Sequence, residues 1–245
     1  MTIENLSATV FCFTSRVAAM SAFLQQLGLR PRITSQRSND DGPVYAVLAG
    51  RNGRVALHHT TDADQAGQRS LVVGTDDFDE ALAALTEEGF TTTQWDEAFG
   101  RAGGITTDRG DLWIDDTGHA DAYGYVLHSE TAGPVDVQAV LFSAELDGDR
   151  ELLHELGFLP PASPDDSGET WTAPHGGAVH LHPETDQVSA EQSWQVALGF
   201  ETSAELDDLV EALHEAGHQD ARRDEWALTV TDPDGHEVQV FPARS

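Results

Sequence analysis

Residues 70–90 read SLVVGTDDFDEALAALTEEGF, and residues 195–218 read QVALGFETSAELDDLVEALHEAGH. Each stretch begins with an apolar strand, continues through an acidic turn, and then places apolar residues at helical spacing. Gly89 and Gly217 follow the two predicted helices, at the position where a left-handed C-cap is expected. The similarity predicts that a strand–helix motif occurs at least twice in this chain.

The motif extends outward from both stretches into further strands, and two more copies of it occur. Residues 9–13 and 139–142 begin these other copies, so the chain contains four repeats that each read strand, helix and about three strands. One such βαβββ repeat exposes a whole sheet face, which two repeats can bury together. We therefore predict two domains, 1–130 and 131–245. Residues 117–130 begin the connection between them, and the sequence leaves open whether it adds a strand.

The composition excludes several classes of function. The 245 residues include 43 acidic and 13 basic ones, and every basic residue is arginine. Without lysine the chain has no Schiff-base nucleophile and no phosphate-loop lysine. A net charge of -30 repels nucleic acid and anionic membranes. The same charge either attracts a cationic ligand or only keeps the surface solvated, and both interpretations stay open.

The sequence indicates a soluble, cytoplasmic protein without internal disulfides. No apolar run approaches the ~20 residues of a membrane span, and the first residues show no secretory pattern. The single cysteine, Cys12, excludes an internal disulfide and a Cys-rich zinc site. Its neighbours Phe11 and Phe13 are apolar, so we predict a buried and inert thiol.

Two sequence marks connect this pattern to a known family. The first helix of each half ends Leu-Gly-hydrophobic, at residues 27–29 and 156–158, and the last repeat closes with TDPDGHEVQV at residues 231–240. In this arrangement the chain resembles the vicinal-oxygen-chelate superfamily, which includes glyoxalases, bleomycin-resistance proteins and extradiol dioxygenases. The resemblance implies an α+β fold with two tandem glyoxalase/bleomycin-resistance-like domains. Their four βαβββ repeats would form curved, mostly antiparallel sheets with helices on the convex side and a cleft on the concave side.

The resemblance also implies metal ligands on the first and last strands of each repeat in a pair, the final one typically Glu. The corresponding positions in the first half are Ala8, Ala56 or Leu57, Ser70 and Ile114. None of these side chains is a good ligand for a divalent metal. Asp115 lies one residue too far along its strand to point the same way, and the adjacent His58 and His59 point to opposite faces. We predict that the first half has lost its metal site.

The second half is polar at all four positions. They are Gln138, His180, Gln195 and Gln239. His182 shares a strand face with His180, and Glu237 shares one with Gln239. Three glutamines and one histidine are a weak donor set for Zn, Ni, Mn or Fe, because neutral Gln239 stands where the family has Glu. Three interpretations stay open: a catalytic metal, polar groups that bind an organic ligand, and structural strand residues.

Two functions follow from these interpretations. The first is non-catalytic binding of a small organic molecule, antibiotic-like and cationic or planar, in a sheet-lined cleft. Its candidate ligand-binding residues are Gln138, His180, His182, Gln195, Trp226 and Gln239. The second is a divalent-metal-dependent lyase, isomerase or dioxygenase-type enzyme, with Glu237 or His182 as the acid–base group.

Aromatic side chains favour a cleft for a planar ligand in either case. Those that could line it are Trp95, Phe99, Trp113, Trp171, Trp194 and Trp226, and the sequence leaves open whether several of them belong to the core instead. The sequence does not decide whether the first repeat pairs with the second or with the fourth. It also leaves open whether the chain acts as a monomer or as a homodimer.

Overall fold

The structure is a computed structural model that describes most of the chain. It describes residues 3, 5–97, 100–107, 110–118, 122–128, 133–161, 168–183 and 195–243. Two of the predicted cleft aromatics, Phe99 and Trp194, lie outside this part of the chain, as does the predicted domain boundary at residues 130–131.

The first half of the chain forms two repeats. Repeat 1 comprises β1 (Ser7–Thr14), α1 (Val17–Gln26), β2 (Arg30–Ser35), β3 (Ser38–Asn39), β4 (Gly42–Pro43), β5 (Tyr45–Ala49) and β6 (Arg54–His59). Repeat 2 comprises β7 (Arg69–Thr75), α2 (Phe78–Glu87), β8 (Thr91–Asp96), β9 (Arg101–Thr107) and β10 (Gly110–Asp116). The main strands lie in the order β2-β5-β6-β1 in repeat 1 and β7-β10-β9-β8 in repeat 2. In both repeats the first strand therefore lies beside the last.

The second half repeats this arrangement. Repeat 3 comprises β12 (Val135–Ser143), α3 (Leu146–Leu156), β13 (Glu169–Thr172) and β14 (Ala178–Pro183). Repeat 4 comprises β15 (Gln195–Thr202), α4 (Leu206–Glu215), β16 (Arg222–Arg223), β17 (Leu228–Thr231) and β18 (Glu237–Pro242). The strand orders are β13-β14-β12 and β15-β18-β17-β16. Consecutive strands pair antiparallel, whereas the first and last strands of repeats 2 and 4 pair parallel. The four predicted strand–helix repeats and the α+β class are confirmed.

The connection between the halves does add a strand. This strand, β11 (Tyr125–Leu127), pairs antiparallel with β2 and places Tyr125 opposite Ser35. The Ser35 hydroxyl in turn accepts hydrogen bonds from the backbone N–H groups of Val44 and Tyr45, at 3.1 and 3.2 Å. The added strand thereby brings Tyr125 to the edge of repeat 1 where Tyr45 begins β5.

Each repeat ends its first strand with the same buried hydroxyl turn. The four residues are Thr14, Thr75, Ser143 and Thr202, and each accepts a hydrogen bond of 3.0–3.1 Å from the backbone N–H two residues later. Such a bond satisfies a donor that the chain exposes as it leaves the sheet for the helix. The turns also provide a common reference point, because positions in different repeats can be counted back from them.

Glycine ends the helices as the sequence predicts. Gly89 follows α2 with φ of 98°, and Gly217 follows α4 with φ of 103°. A side chain would strain this left-handed backbone, which glycine adopts without cost. The backbone N–H of Gly89 bonds to the carbonyl oxygen of Thr86, and that of Gly217 bonds to the carbonyl oxygen of His214.

Alternation along the strands gives each sheet a buried face and an open face. In β1, Val10 and Cys12 are buried, whereas Phe11 and Phe13 are only half-buried. The helices cover the buried faces with apolar side chains. Those fully or almost fully buried include Phe23 of α1, Phe78 of α2, Leu153 of α3 and Leu213 of α4. Each such side chain contributes about 1.5–3 kcal/mol by burial, while the open faces remain available to a ligand.

The chain divides into two compact units, and each draws on both halves of the sequence. Unit I contains Met1–Thr9, Ser70–Tyr123 and Ala139–Ala197, so it holds repeat 2 and most of repeat 3. Unit II contains Val10–Arg69, Gly124–Gln138 and Leu198–Ser245, so it holds most of repeats 1 and 4. This grouping matches the exchanged pairing that the sequence leaves open. The contiguous domains 1–130 and 131–245 stay a prediction.

Candidate functional site

The open face of repeat 2 carries two rows of side chains across β8, β9, β10 and β7. The first row is Trp95, Ala102, Asp115 and Gly74, and the second is Thr93, Gly104, Trp113 and Val72. The rings of Trp95 and Trp113 meet edge to face with centroids 6.2 Å apart. Trp113 is 38% exposed, so an indole surface faces solvent in the middle of the sheet. Helix α2 covers the opposite face of the sheet, where Ile114 is fully buried.

The structure corrects the register predicted for this repeat. Trp113 pairs with Val72, three residues before the hydroxyl turn, and Gln239 pairs with Gly199, three residues before the corresponding turn in repeat 4. Trp113 is therefore the counterpart of Gln239, and the predicted counterpart Ile114 faces the helix. The prediction was wrong by one residue because β10 carries apolar side chains on both faces, so hydrophobicity alone does not fix its register.

Asp115 points to the open face beside the indoles. It makes no hydrogen bond or ion pair with another described residue, although its carboxyl is largely buried. Burial and, to a smaller extent, the negative charge of Glu97 together raise the pKa of Asp115 to about 6. Glu97 itself accepts a 2.5 Å hydrogen bond from Trp95 Nε1. The face therefore combines two indoles with two carboxyl groups.

The open face of repeat 1 carries an aromatic–histidine cluster, formed by Phe11, Phe13, Tyr45, His58 and Tyr125. His58 is exposed and stacks on Phe11 with ring centroids 5.9 Å apart. Phe13 and Tyr45 meet the imidazole edge to face at 5.7 and 6.3 Å. Tyr125, supplied by the added strand β11, extends the cluster by contacting Tyr45 at 5.9 Å. A half-exposed group of rings of this kind offers both stacking surfaces and an imidazole that hydrogen-bonds.

Repeat 3 places a smaller version of this arrangement on its open face. His180 and His182 lie on the same side of β14 with ring centroids 6.4 Å apart, and Phe142 contacts His182 at 5.2 Å. His182 Nδ1 donates to its neighbouring carbonyl oxygen, that of Pro183, at 2.7 Å, which fixes the proton of the neutral ring on Nδ1. His180 Nδ1 lies 3.0 Å from the Thr170 hydroxyl.

Repeat 4 contributes polar and exposed side chains. Gln239 Nε2 lies 3.4 Å from Glu237 Oε1, a weak contact, and Glu237 also forms an exposed ion pair of 3.2 Å with Arg222. Trp226 is 71% exposed in the turn between β16 and β17. It lines a shallow, open pocket of about 410 Å³ beside Arg223 and the start of α4. This places Trp226 on the helix side of the repeat, next to the turn, rather than among the side chains around Gln239.

The four predicted metal ligands are divided between the compact units. Gln138 and Gln239 belong to unit II, whereas His180 and Gln195 belong to unit I. Gln138 is buried in β12, and Gln195 is exposed at the start of β15. Among the residues that the structure describes, no three His, Cys, Asp or Glu side chains gather as a metal site would require. Three neutral amides and one imidazole do not fit a tightly held divalent ion.

The TDPDGHEVQV segment has a structural role within unit II. Asp232 is fully buried and forms an ion pair with the almost fully buried Arg69. Its carboxylate also accepts hydrogen bonds from the backbone N–H groups of Asp234 and His236, each at 2.9 Å. Asp234 in turn accepts a 2.9 Å hydrogen bond from the Thr14 hydroxyl. These contacts anchor the last turn of repeat 4 on repeat 1.

The remaining single-residue predictions concern buried groups. Cys12 is 2% exposed, and burial raises the pKa of its thiol to about 12, so the predicted buried, inert thiol is confirmed. Trp171, one of the predicted cleft aromatics, is 6% exposed and belongs to the core. Within the described part of the chain, no helix has the length and apolar character needed to cross a membrane.

Comparison with solved structures identifies the fold. An extradiol ring-cleaving dioxygenase from B. fuscum matches 100% of this chain and 73% of its own, with a TM-score of 0.61 and 15% identity. The chain has the vicinal-oxygen-chelate fold. A homoprotocatechuate 2,3-dioxygenase from Arthrobacter globiformis matches 98% of this chain and 80% of its own, with a TM-score of 0.61 and 14% identity.

A third solved structure gives the same result. The 2,2',3-trihydroxybiphenyl 1,2-dioxygenase from Sphingomonas wittichii matches 98% of this chain and 91% of its own, with a TM-score of 0.60 and 13% identity. No family model and no curated protein sequence matches this chain. The vicinal-oxygen-chelate fold expected from the sequence is confirmed, and at these identities the likeness shows the fold alone.

Proposed function

We propose that this chain binds a small, planar organic molecule on an open sheet face, without a resident metal. The observation that carries this proposal is the aromatic–histidine cluster of repeat 1. Sites for organic ligands combine apolar and aromatic walls with a few polar groups, and the cluster has that composition. Phe11, Phe13 and Tyr45 contact the exposed His58 imidazole by stacking or edge to face, and each such contact is worth about 0.5–1.5 kcal/mol beyond burial.

The net charge narrows the ligand class. At -30, the protein repels anionic aromatic acids and favours neutral or cationic molecules. A neutral hydroxylated aromatic therefore suits the cluster, because its ring can stack on Phe11 while its hydroxyl groups meet His58. Planar antibiotic-like molecules belong to the same chemical class and form a natural second panel of ligands.

The test uses 2,2',3-trihydroxybiphenyl as a neutral planar probe, with binding followed by calorimetry. We expect one binding event that His58→Ala and Phe13→Ala each weaken about tenfold, which corresponds to roughly 1.4 kcal/mol. Phe142→Ala, which alters the smaller cluster of repeat 3, is the matched control and should leave this affinity unchanged. Equal binding by all three variants would show that the cluster is not the site.

A metal-dependent lyase, isomerase or dioxygenase-type enzyme is the second candidate, favoured by the solved structures that share the fold. Its ligands would be Gln138, His180, Gln195 and Gln239, with His182 or Glu237 as the acid–base group. Because this donor set does not fit a divalent ion, we expect no stoichiometric metal after incubation with zinc, nickel, manganese or iron(II). Elemental analysis that finds about one ion per chain, lost in His180→Ala, would favour the enzyme instead.

A further inference from the structure

The open face of repeat 2 carries a second set of ligand-binding groups, in unit I rather than at the cluster of repeat 1. Trp95 and Trp113 stand diagonally across β9, and the residues between them are small. Ala102 separates Trp95 from Asp115, and Gly104 separates Thr93 from Trp113. The indoles thereby keep an accessible surface that larger neighbours would cover.

Gly104 is the position that makes the arrangement possible. A Cβ added there would lie 2.9 Å from the Thr93 hydroxyl and 3.6 Å from the Trp95 ring. A contact under 3.0 Å forces the neighbour to move, so even alanine would disturb the side chains beside Trp113. By contrast, a Cβ at Gly103 would meet Phe78 and Ile114 on the helix side, which confirms that the two glycines face opposite ways.

Among the described residues, the charged side chains on this face are all acidic. Asp115 has no hydrogen-bonding or ionic partner among the described residues, and the Glu97 carboxylate accepts a hydrogen bond from the Trp95 indole alone among them. The arginine in the neighbouring strand, Arg101, lies over the Phe78 ring on the helix side and pairs with Asp79 and Asp116. Neither row of the open face contains a cationic side chain. Two carboxyl groups are thus placed beside two indoles, and no cationic side chain of the described residues pairs with either carboxyl group.

We propose that this face binds a planar organic cation, which stacks on Trp113 and Trp95 and places its charge against Asp115 and Glu97. A flat cation gains both cation–π attraction from the indoles and ionic attraction from the carboxylates. It also supplies the partner that the buried Asp115 carboxyl lacks. A neutral ring would gain only the stacking contacts. The proposal concerns a different face, unit and ligand charge from the binding proposed at repeat 1, so either can fail alone.

The test compares N-methylquinolinium with quinoline, its neutral analogue, at pH 7.5 and ~150 mM salt. This salt concentration limits the reach of exposed charges to about 8 Å, which suppresses general attraction to the acidic surface. Binding is measured by calorimetry and by quenching of tryptophan fluorescence. We expect the cation to bind about tenfold more tightly than quinoline. Trp113→Gln, which installs the residue found at this position in repeat 4, should weaken binding of the cation about tenfold.

Asp115→Asn keeps the shape of the side chain and should also weaken binding of the cation about tenfold. This variant tests the proposal even if Trp113→Gln does not fold. Asp111→Asn is the matched control, since Asp111 is exposed on the same strand face but accepts a 2.9 Å hydrogen bond from Thr106. It should leave the affinity unchanged. The proposal is overturned if the cation does not bind or binds no better than quinoline. It is also overturned if Asp111→Asn weakens binding as much as Asp115→Asn.

Discussion

The last strands of repeats 2 and 4 have the same place in the fold and present different chemistry. Trp113 of β10 and Gln239 of β18 each stand opposite the residue three places before a hydroxyl turn. Two residues later, β10 has the half-buried Asp115 and β18 has the half-buried Phe241. The comparison shows that the repeated backbone fixes which positions face the ligand side. It does not fix whether those positions offer rings, amides or charges.

The acidic residues that anchor these strands differ in the same way. Asp116 at the end of β10 is bound by Arg101 within its own repeat, through Nε at 2.9 Å and an ion pair at 2.8 Å. Asp232, before β18, is bound by Arg69, which is the first residue of β7 and the last residue of the first long segment of unit II. Repeat 2 is therefore held internally, whereas the last turn of repeat 4 depends on a residue far away in sequence.

The largest effect is expected where repeat 4 depends on that distant residue. Asp232→Ala leaves the Arg69 charge buried without its partner and removes the acceptor for two backbone N–H groups. Losing one partner of a buried pair costs about 3–5 kcal/mol, measured as the free energy of unfolding in urea. Asp224→Ala, which removes an exposed turn carboxylate from the same repeat, is the control. A loss under about 1 kcal/mol for Asp232→Ala would contradict the anchoring role.

The second effect has the opposite sign and concerns repeat 2. Asp115→Asn should stabilise the ligand-free protein at pH 7.5, because folding buries a carboxylate that has no partner among the described residues. A rise in pKa from 3.8 to about 6 corresponds to a gain on the order of 2–3 kcal/mol in the variant. The folded-state pKa lies above the unfolded value, so the penalty is absent below about pH 4 and complete above about pH 6. Thermal unfolding of both proteins at pH 4 and pH 7.5 measures it, and a gain that persists at pH 4 would disprove this cause.

The pH dependence of cation binding tests whether Asp115, which has Phe241 as its counterpart in repeat 4, contributes a negative charge to the open face of repeat 2. Acidification through about pH 6 neutralises Asp115, so the affinity for N-methylquinolinium should fall about tenfold between pH 7.5 and pH 5. Among the described residues, Glu97 is the charged group that acts on Asp115. Asp111 lies four residues earlier on the same strand face, and the open-face residues of β7 and β9 are uncharged. Calorimetry at both pH values should find a flat profile in Asp115→Asn. A parallel fall in that variant would assign the effect to other carboxyl groups.

The smallest effect is expected on the exposed part of β18. Arg222→Ala removes an ion pair with Glu237 in which both side chains are more than half exposed. Exposed pairs contribute roughly 0.2–1 kcal/mol, and salt screens them. Urea unfolding at low and high salt should therefore differ little from the native protein. A loss of unfolding free energy above about 2 kcal/mol would mean that the Arg222–Glu237 pair stabilises repeat 4 as strongly as a buried ion pair does.

The sequence predicts the architecture well because its signals are local and occur four times. The glycine C-caps at Gly89 and Gly217 and the fourfold order of strand and helix can all be recognised from neighbouring residues. The register of β10 cannot, because Leu112, Trp113 and Ile114 are all apolar and only strand pairing shows which of them faces the helix. The same one-residue misplacement predicts that Asp115 faces away from the open face, whereas it lies on that face two residues after Trp113.

The aromatic–histidine cluster cannot be predicted from neighbouring residues in the sequence, for a different reason. Its members come from β1, β5, β6 and β11, which are far apart in sequence. In the sequence, His58 is notable only because it is adjacent to His59, and two adjacent strand residues cannot bind the same metal ion. The clearest signal available in advance is alternation in β1, where Phe11 and Phe13 flank Cys12. Two rings on one strand face, opposite a buried face, indicate a surface made for a ligand or a packed partner, but strand pairing is needed to bring His58 beside them.

The anchoring of repeat 4 on repeat 1 also sets an order of events during translation. Arg69 leaves the ribosome 163 residues before Asp232, its partner. The segments of unit II, Val10–Arg69 and Leu198–Ser245, are likewise separated by most of the other unit. The segment Val10–Arg69 therefore emerges early, and the Arg69 guanidinium stays hydrated until Asp232 has been synthesised. The packing of this first long segment of unit II is therefore completed only after the intervening segments of the other unit have been made.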